Sequence, residues 1–254
     1  MEKLIYKKPD SIKDDFEFIF CPGCDHGVAI KLVAEVLDEF EVREKAIAVA
    51  SVGCSVFLDD FFNVDVVGAP HGRATAVATG VKRSKPDKVV FTYQGDGDFA
   101  SIGMGESIHS IARGEKITVI CINNTNFGMT GGQAGPTTLL GQVTTTTPTG
   151  RTVESHGYPV KISEIISQLD GAAYVARVSL DSPKEIMNAK KAIKKAFEVQ
   201  LKGLGAGFVE ILASCPTNWK MSPKDAHDHV RDVLKGTYVP QVFRDVSVGE
   251  KYGI

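Results

Sequence analysis

The sequence has few cysteines, almost no net charge and no long hydrophobic run, and each shortage excludes a class of protein. With only five cysteines and no signal peptide before the chain, we expect reduced thiols rather than disulfides. A formal net charge of −2 gives no basic footprint for nucleic acid. No apolar run is long enough to span a membrane. The sequence therefore predicts a cytoplasmic protein that binds neither nucleic acid nor a membrane.

Internal repeats and long low-complexity linkers are also absent, so nothing in the sequence divides the chain. With 254 residues and 43% hydrophobic composition, the sequence can bury one large core. We therefore predict a single domain over residues 1–254. Its charged start, at about 1–15, is expected to be a mobile arm or a strap onto a partner. Its tail, at about 217–254, carries apolar residues without a clear element, and we expect it to dock on another subunit.

The hydrophobic pattern alternates between strand-like and helix-like segments. Strands are predicted at about 46–51, 64–67, 88–94, 116–122, 173–179 and 207–213, and helices at about 25–40, 72–83, 99–113, 162–170 and 183–202. This alternation predicts an α/β fold, with a largely parallel sheet and helices on both faces. The segment 127–158 shows no periodicity. Structureless loops of that length are usually functional, so we expect it to face the substrate or another subunit.

Two polar clusters follow predicted strands of this sheet. Asp96 comes after the strand at 88–94, and Asn124 lies 28 residues later, after the strand at 116–122. Ligands of parallel sheets bind at the carboxyl ends of the strands. Gly95 and Gly97 allow close approach of a phosphate, while a carboxylate and an amide oxygen suit octahedral Mg²⁺. The pattern favours a phosphate and magnesium site over the alternative, a surface turn with strand-capping asparagines.

Four of the five cysteines fall in three loops. Cys21 and Cys24 form a Cys-Pro-Gly-Cys sequence before a predicted helix, and Cys54 and Cys215 directly follow predicted strands. If the three loops open on one edge of the sheet, four thiols converge there. Four thiolates suit an iron–sulfur cluster or a structural zinc ion. Cys121 lies inside an apolar strand and is expected to be a buried hydrophobic residue.

A redox-active pair at Cys21 and Cys24 is an alternative, but it leaves Cys54 and Cys215 unexplained. From the spacing alone, zinc also remains open.

The pairing of Gly-Asp-Gly with a later Asn-Asn resembles the diphosphate-binding motif of thiamine diphosphate enzymes. In that family the motif's Asp and a later Asn bind Mg²⁺ through their side chains, and a residue two places beyond the Asn binds through its carbonyl. The resemblance places these three ligands at Asp96, Asn124 and Asn126.

Five motifs in one order resemble the β subunit of 2-oxoacid:ferredoxin oxidoreductases. They are Cys-Pro-Gly-Cys at 21–24, Gly-Cys-Ser at 53–55, His-Gly-Arg-Ala at 71–74, Gly-Asp-Gly-Asp at 95–98 and Phe-Gly-Met-Thr-Gly-Gly-Gln at 127–133. The resemblance implies a thiamine diphosphate-binding domain with a [4Fe–4S] cluster on Cys21, Cys24, Cys54 and Cys215. It implies cofactor contacts at Gly53, Cys54, Ser55, His71, Gly72, Gly95, Asp96, Gly97, Asp98, Asn124, Asn126, Gly128, Met129 and Thr130.

The histidines differ in what their positions predict. His71 follows the strand at 64–67 and so lies at the carboxyl edge of the sheet. In the resembling family this position faces thiamine and substrate, which predicts a catalytic role; the alternative is a helix-capping histidine. His227 and His229 lie in a charged stretch of the tail and are expected to be solvated.

The resemblance implies CoA-dependent oxidative decarboxylation of a 2-oxoacid to acyl-CoA and CO₂, with electrons passing to ferredoxin. Because the sequence has no second α/β unit, it implies partner subunits carrying a pyrimidine-binding domain and ferredoxin-like clusters. The substrate is of the branched-chain (2-oxoisovalerate) or the 2-oxoglutarate type, and Phe57 and Leu58, close after Cys54, hint at an apolar pocket for a branched chain. Two rival hypotheses are a non-redox thiamine diphosphate decarboxylase or lyase subunit and a zinc-stabilised nucleotide-binding module.

Overall fold

The structure, a computed structural model, describes residues 7–248. The strands are β1 Ala46–Ala50, β2 Asp65–Gly68, β3 Val89–Gly95, β4 Thr118–Asn123, β5 Asn126–Phe127, β6 Gln133–Ala134, β7 Ala172–Ser179, β8 Ala206–Leu212 and β9 Gln241–Asp245. The helices are α1 His26–Glu39, α2 Leu58–Phe61, α3 Ala74–Ser84, α4 Met104–Ala112, α5 Val153–His156, α6 Ile162–Ile166, α7 Pro183–Leu201, α8 Pro216–Trp219, α9 Pro223–His229 and α10 Lys235–Thr237.

Seven of these strands form one sheet in the order β2-β1-β3-β4-β8-β7-β9. Every neighbouring pair among the first six strands is parallel, and β9 alone runs antiparallel to its neighbour β7. The strands β5 and β6 form a separate two-stranded antiparallel ribbon. The predicted α/β fold with a largely parallel sheet is confirmed.

The central strands are continuous apolar runs because both faces of the sheet are covered. Each residue of β4, β7 and β8 is buried, whereas β2, at the edge, is largely exposed. Alternate residues feed two cores: Phe91 and Tyr93 of β3 pack on the side of α1 and α7, while Val90 packs on the side of α3 and α4. The strand sequences therefore fix where both helix layers lie.

The long helix α7 shows how local sequence sets an element. Ser182 caps its first turn by accepting a hydrogen bond from the Glu185 amide, and Pro183 occupies the first helical position. Ala189, Ile193 and Phe197 then return on one face at helical spacing and are buried. Burial of that stripe against the sheet, more than helix propensity, stabilises the helix.

Both predicted appendages pack on this chain where the structure describes them. Ser11 and Ile12 of the arm are buried, and Ile12 forms an antiparallel bridge with Phe62, so the mobile-arm prediction is wrong for these residues. Residues 1–6 lie outside the described part. The tail contains β9 and the fully buried Tyr238, so the expectation of no clear element is wrong. Its docking on another subunit stays a prediction.

The chain order creates a crevice at the carboxyl edge of the sheet. After β1 the chain crosses to β2 on one side, and it then returns to β3 on the other side. Sheets of this kind bind ligands where the strand order reverses, just beyond the carboxyl ends. Among residues 7–248, no helix is long and apolar enough to cross a membrane.

Candidate functional site

One pocket lies at this crevice, and it gathers nearly all of the predicted cofactor contacts. The loops after β1, β3 and β4 line it, together with the segment around β5. The lining residues are His26, Val52, Gly53, Cys54, Ser55, His71, Gly95, Asp96, Gly97, Asp98, Ile122, Asn124, Asn126, Phe127, Gly128, Met129 and Thr130. Of the predicted contacts, only Gly72 is outside this lining. Its amide instead donates to Asp98 Oδ1 over 2.6 Å.

Asp96 lies at the bottom of the pocket, in the turn directly after β3. Its side chain is buried, and burial is the main cause that raises the pKa of its carboxyl group to about 7. The hydroxyl of Thr137 donates a hydrogen bond to its Oδ2 atom. A buried carboxylate with no cation nearby is costly, so this position suits a metal ion that carries the compensating charge.

Asn124 and Asn126 stand beside Asp96 in the turn after β4. Asn124 Oδ1 accepts from the Asn126 amide over 3.3 Å, and Asn126 Nδ2 donates to the Asn124 carbonyl over 3.0 Å. A Cβ built on Gly135 would lie 3.6 Å from Asp96 Oδ2 and 3.8 Å from the carbonyl carbon of Asn126. Asp96 and Asn126 therefore both lie close to Gly135. Asp96, Asn124 and Asn126 all line the pocket, and we call them the oxygen cluster.

Two glycines are required by the shape of the pocket. A Cβ on Gly97 would lie 2.3 Å from the ring of Phe127, so any side chain there displaces that ring. Gly53 has a φ of 121° and open space around its Cα, which presents its backbone to the pocket. Both features suit close contact between backbone and ligand.

The pocket carries little positive charge of its own. Among its described lining residues there is no lysine or arginine, and Asp96 adds a negative charge. A diphosphate bound here would find only amide dipoles and whatever metal ion the oxygen cluster holds. A carboxylate with amide and carbonyl oxygens is a ligand set for a hard divalent cation such as Mg²⁺. The residues thus fit a metal-bound diphosphate.

His71 is held at the pocket wall by Asp98. Its Nδ1 lies 2.5 Å from Asp98 Oδ1, and Gln94 Nε2 donates to the other carboxylate oxygen over 2.6 Å. Because Asp98 accepts from Nδ1–H, Nε2 is the ring nitrogen left for a ligand. The Asp98 carboxylate itself is spent on His71, Gly72 and Gln94, so of this residue only the backbone remains to contact a phosphate.

The four predicted cluster cysteines do come together. We call Cys21, Cys24, Cys54 and Cys215 the thiol cluster; all are free thiols, and each interacts electrostatically with at least two of the others. Burial, with smaller effects from neighbouring cysteines, raises the pKa of Cys24 to about 12 and that of Cys54 to about 11. The thiols of Cys24 and Cys54 are therefore neutral at ordinary pH unless a cationic group displaces their protons.

The two clusters share a wall. Cys54 lines the pocket itself, and Cys215 Sγ lies 3.8 Å from Asn126 Oδ1. The side-chain amide of Asn218 donates both to Cys215 Sγ, over 3.3 Å, and to the Gly128 carbonyl, over 2.8 Å. A group bound by the cysteines therefore lies next to one bound in the pocket.

A set of hydrogen bonds behind the thiol cluster was not predicted from the sequence. It is centred on Asp25, and we call it the clasp of Asp25. Asp25 Oδ2 accepts from the Ser214 amide over 2.7 Å, and Asp25 Oδ1 lies 2.9 Å from His227 Nε2. Ser214 Oγ donates to the Gly23 carbonyl over 2.8 Å. These residues join the Cys21–Cys24 loop to the Cys215 loop. The prediction that His227 is solvated is wrong, because Asp25 binds it and raises its pKa.

The other predictions for single residues have mixed outcomes. Cys121 is fully buried in β4, as predicted. His229 is not free in solvent, since its ring packs edge-on against Trp219 with centroids 4.9 Å apart. Phe57 and Leu58 do not line the pocket; Leu58 is fully buried in the main core, and Phe57 packs against that core. The apolar pocket wall comes instead from Val52, Ile122, Phe127 and Met129.

Across the part of the chain that is described, no three His, Cys, Asp or Glu side chains are placed to hold one metal ion. This observation argues against a single zinc ion, whose ligands must approach one centre. It does not argue against an iron–sulfur cluster in the same way, because each cysteine there binds a different iron atom and the sulfurs stay further apart.

The comparisons with known proteins agree with this geometry. The family described as thiamine pyrophosphate enzyme, C-terminal TPP binding domain, matches residues 51–211. The chain is 44% identical to the ketoisovalerate oxidoreductase subunit VorA of Methanothermobacter thermautotrophicus, over 97% of this chain and 54% of that protein. It is 38% identical to the 2-oxoglutarate synthase subunit KorB of Methanocaldococcus jannaschii, over 81% of this chain and 72% of that protein. The chain thus spans about half the length of VorA.

A solved structure is similar over most of the chain. It is a 2-oxoglutarate:ferredoxin oxidoreductase from Magnetococcus marinus with 2-oxoglutarate, coenzyme A and succinyl-CoA bound. The match has a TM-score of 0.76 and 30% sequence identity, and it covers 91% of this chain and 75% of that chain.

Proposed function

This chain belongs to the family of thiamine diphosphate-binding subunits of 2-oxoacid oxidoreductases, and from that premise we propose that it catalyses CoA-dependent oxidative decarboxylation of a 2-oxoacid, with electrons passing to ferredoxin. The observation that carries the proposal is that Cys54 belongs to the thiol cluster and also lines the pocket of Asp96. On this proposal, an iron–sulfur cluster held by the thiol cluster would be an electron acceptor directly beside the thiamine.

The oxygen cluster is the proposed Mg²⁺ site. Asp96 and Asn124 supply side-chain oxygens and Asn126 its carbonyl, while the diphosphate supplies further oxygens. The absence of lysine and arginine among the described lining residues supports this assignment, because the metal is then the main balance for the diphosphate charge. The backbone of Gly95, Gly97, Gly128, Met129 and Thr130, which line the pocket, completes the proposed phosphate cradle.

When bound, thiamine diphosphate supplies the electron sink for decarboxylation. The chain's own contribution is orientation and proton handling. His71 is fixed by Asp98 through Nδ1–H, so when Nε2 carries a proton it can donate to a carboxylate or carbonyl oxygen of the substrate, and when Nε2 is bare it can accept a proton there. The apolar wall of Val52, Ile122, Phe127 and Met129 excludes water from the reacting centre.

The thiol cluster is the proposed [4Fe–4S] site. The chemistry of the donors fits, because four neighbouring thiols become good ligands once a cationic cluster displaces their protons. Zinc is disfavoured by the lack of a single-ion arrangement among the described residues. With Cys54 on the pocket wall, electrons would leave the substrate over a short path.

The proposed substrate has an apolar side chain. A second carboxylate, as in 2-oxoglutarate, calls for a permanent cation, and the described pocket lining contains neither lysine nor arginine. The four apolar wall residues suit a branched chain, and VorA is named for ketoisovalerate. We therefore expect 2-oxoisovalerate to give a higher kcat/KM than 2-oxoglutarate by at least about tenfold, the scale on which an unpaired buried charge discriminates.

The proposed partners are a subunit that carries the pyrimidine-binding domain and a ferredoxin-like subunit. The exposed apolar residues Val52 and Met129 at the pocket mouth support a covering partner. The test is 2-oxoacid-dependent reduction of a viologen dye with coenzyme A. We expect activity in the complex co-expressed with its partners and little in this chain reconstituted alone. Equal turnover in both would show that the chain is self-sufficient, and 2-oxoacid decarboxylation without dye reduction would favour a non-redox lyase.

A further inference from the structure

A buried threonine outside the recognised motifs contacts the oxygen cluster. Thr137 lies between β6 and α5, 41 residues from Asp96 in sequence, and it is fully buried. Its hydroxyl donates to Asp96 Oδ2. The other groups that hydrogen-bond this carboxylate are the backbone amides of Gly97 and of Asp96 itself, so among the described residues Thr137 provides the side chain that can set its rotation.

Thr137 is itself held from behind by the tail. Tyr238, also fully buried, donates its hydroxyl to the Thr137 carbonyl over 2.6 Å. The guanidinium carbon of Arg177 lies 5.2 Å from the centre of the Tyr238 ring, which fixes the ring in turn. The brace therefore runs from Arg177 through Tyr238 and Thr137 to Asp96.

The loop around Thr137 is also pinned at the backbone. Arg151 Nη1 donates to the carbonyls of Gly135 over 2.9 Å and Thr138 over 2.8 Å. The Thr138 hydroxyl donates to the Thr125 carbonyl, in the turn that carries Asn124. Because both sides of Thr137 are anchored, its hydroxyl has little freedom to leave Asp96.

We propose that Thr137, braced by Tyr238, is a positioning residue that fixes the Asp96 carboxylate for one-oxygen binding of the cofactor's divalent cation. Occupying Oδ2 leaves Oδ1 for the metal, and Mg²⁺ requires near-ideal octahedral geometry from its ligands. Hydrogen-bond partners of metal ligands typically contribute about 10–100-fold to metal affinity. The proposal rests on the proposed function, since it requires a metal at the oxygen cluster.

The experiment measures the Mg²⁺ concentration that gives half-maximal thiamine diphosphate retention by the assembled complex. Thr137→Val removes the hydroxyl at nearly constant volume and should raise that concentration about 10–100-fold. Thr137→Ser keeps the hydroxyl and should restore it to within about threefold of wild type. Tyr238→Phe removes only the brace, and a smaller rise, of about three- to tenfold, is expected.

The matched control is Thr118→Val. Thr118 is also a fully buried threonine, and its hydroxyl donates to Gln200 Oε1 over 2.9 Å at the amino end of β4, the opposite edge of the sheet. This variant should lose stability without a change in Mg²⁺ requirement.

The outcomes separate the inference from its premise. If wild type retains thiamine diphosphate only with Mg²⁺ and Thr137→Val shows the same requirement, the positioning role is overturned. If wild type shows no Mg²⁺-dependent retention, the proposed function fails first. Should Thr137→Val not fold, Tyr238→Phe decides, and an unchanged Mg²⁺ requirement in that variant overturns the brace.

Discussion

The oxygen cluster and the thiol cluster meet at one wall, yet the fold holds them in different ways. Asp96, Asn124 and Asn126 are buried, and hydrogen bonds from Thr137 and within the turn after β4 already orient them. Burial is the main cause that raises the pKa of Cys24 and Cys54, and Cys21 is exposed. The fold thus orients the oxygen ligands by direct hydrogen bonds, whereas Asn218 and Asp25 hold the loops of the thiol cluster and a bound group would hold the thiols themselves together.

The largest effect is expected from removing Asp96, which is the one carboxylate of the oxygen cluster. Asp96→Ala should lower thiamine diphosphate retention by at least about 100-fold, because the metal loses its only charged protein ligand. Asp87→Ala, an exposed carboxylate before the amino end of β3, is the control and should change nothing. Thiamine analysis of the purified complexes is the measurement. Normal thiamine content in the Asp96→Ala complex would show that Asp96 does not bind the metal ion.

Substitutions in the thiol cluster should mainly lower the iron content of the complex, not its thiamine content. Each of its four Cys→Ser changes should lose most of the bound iron, whereas Cys121→Ser should keep it, since Cys121 is buried in β4. Cys54→Ser should also weaken thiamine retention by about two- to fivefold, because Cys54 alone of the four lines the pocket. A full iron complement in Cys54→Ser would refute the cysteine assignment.

The clasp of Asp25 joins two loops of the thiol cluster before any group is bound. Asp25→Ala removes the acceptor of both Ser214 and His227, so the Cys21–Cys24 loop should open more often. We expect the iron–sulfur absorbance of the variant complex to bleach in air about three- to tenfold faster than that of wild type. Asp232→Ala, an exposed residue of the same tail, serves as the control. Equal bleaching rates in Asp25→Ala and wild type would mean that the clasp does not support the cluster.

The smallest effect expected is a pH dependence of stability that belongs to Asp96. In the cofactor-free protein its pKa is raised from 3.8 to about 7, so between these values the folded state binds a proton that the unfolded state lacks. The free energy of unfolding therefore falls as pH rises through this window, by about 1.4 kcal/mol for each pH unit. Asp96→Asn removes this contribution.

Urea unfolding of wild type and Asp96→Asn, at about pH 5 and about pH 8, isolates that contribution. The stability gained by the variant should be larger at the higher pH, and Mg²⁺ with thiamine diphosphate should shrink the difference by stabilising the wild type alone. A gain independent of pH would show that Asp96 titrates normally.

The sequence could predict what depends on local pattern. The strands β3 and β4 are continuous apolar runs, so the positions of Asp96 and Asn124 at their carboxyl ends follow from the residues themselves. The convergence of the four cysteines follows from the same logic, because the loops that carry Cys54 and Cys215 end parallel strands of one sheet.

The parts that sequence could not predict depend on contacts between distant segments. Asp25 and His227 are 202 residues apart, and neither belongs to a pattern that requires the other. Strand β9 is short and half exposed, and its pairing with β7 carries an irregular register, so its sequence gives a weak strand signal. Thr137 lies in an aperiodic segment, and only the folded chain shows that its hydroxyl contacts Asp96.

Above all, we expect two separately liganded cofactors to lie side by side at this edge of the sheet. The most direct test measures iron, sulfide and thiamine together in anaerobically purified wild type, Asp96→Ala and Cys24→Ser complexes; Cys24, unlike Cys54, does not line the pocket. Wild type should hold about four iron and four sulfide per chain with thiamine. Asp96→Ala should lose thiamine and keep iron, and Cys24→Ser should lose iron and keep thiamine. Zinc in place of iron and sulfide, or loss of both cofactors in either variant, would contradict the account.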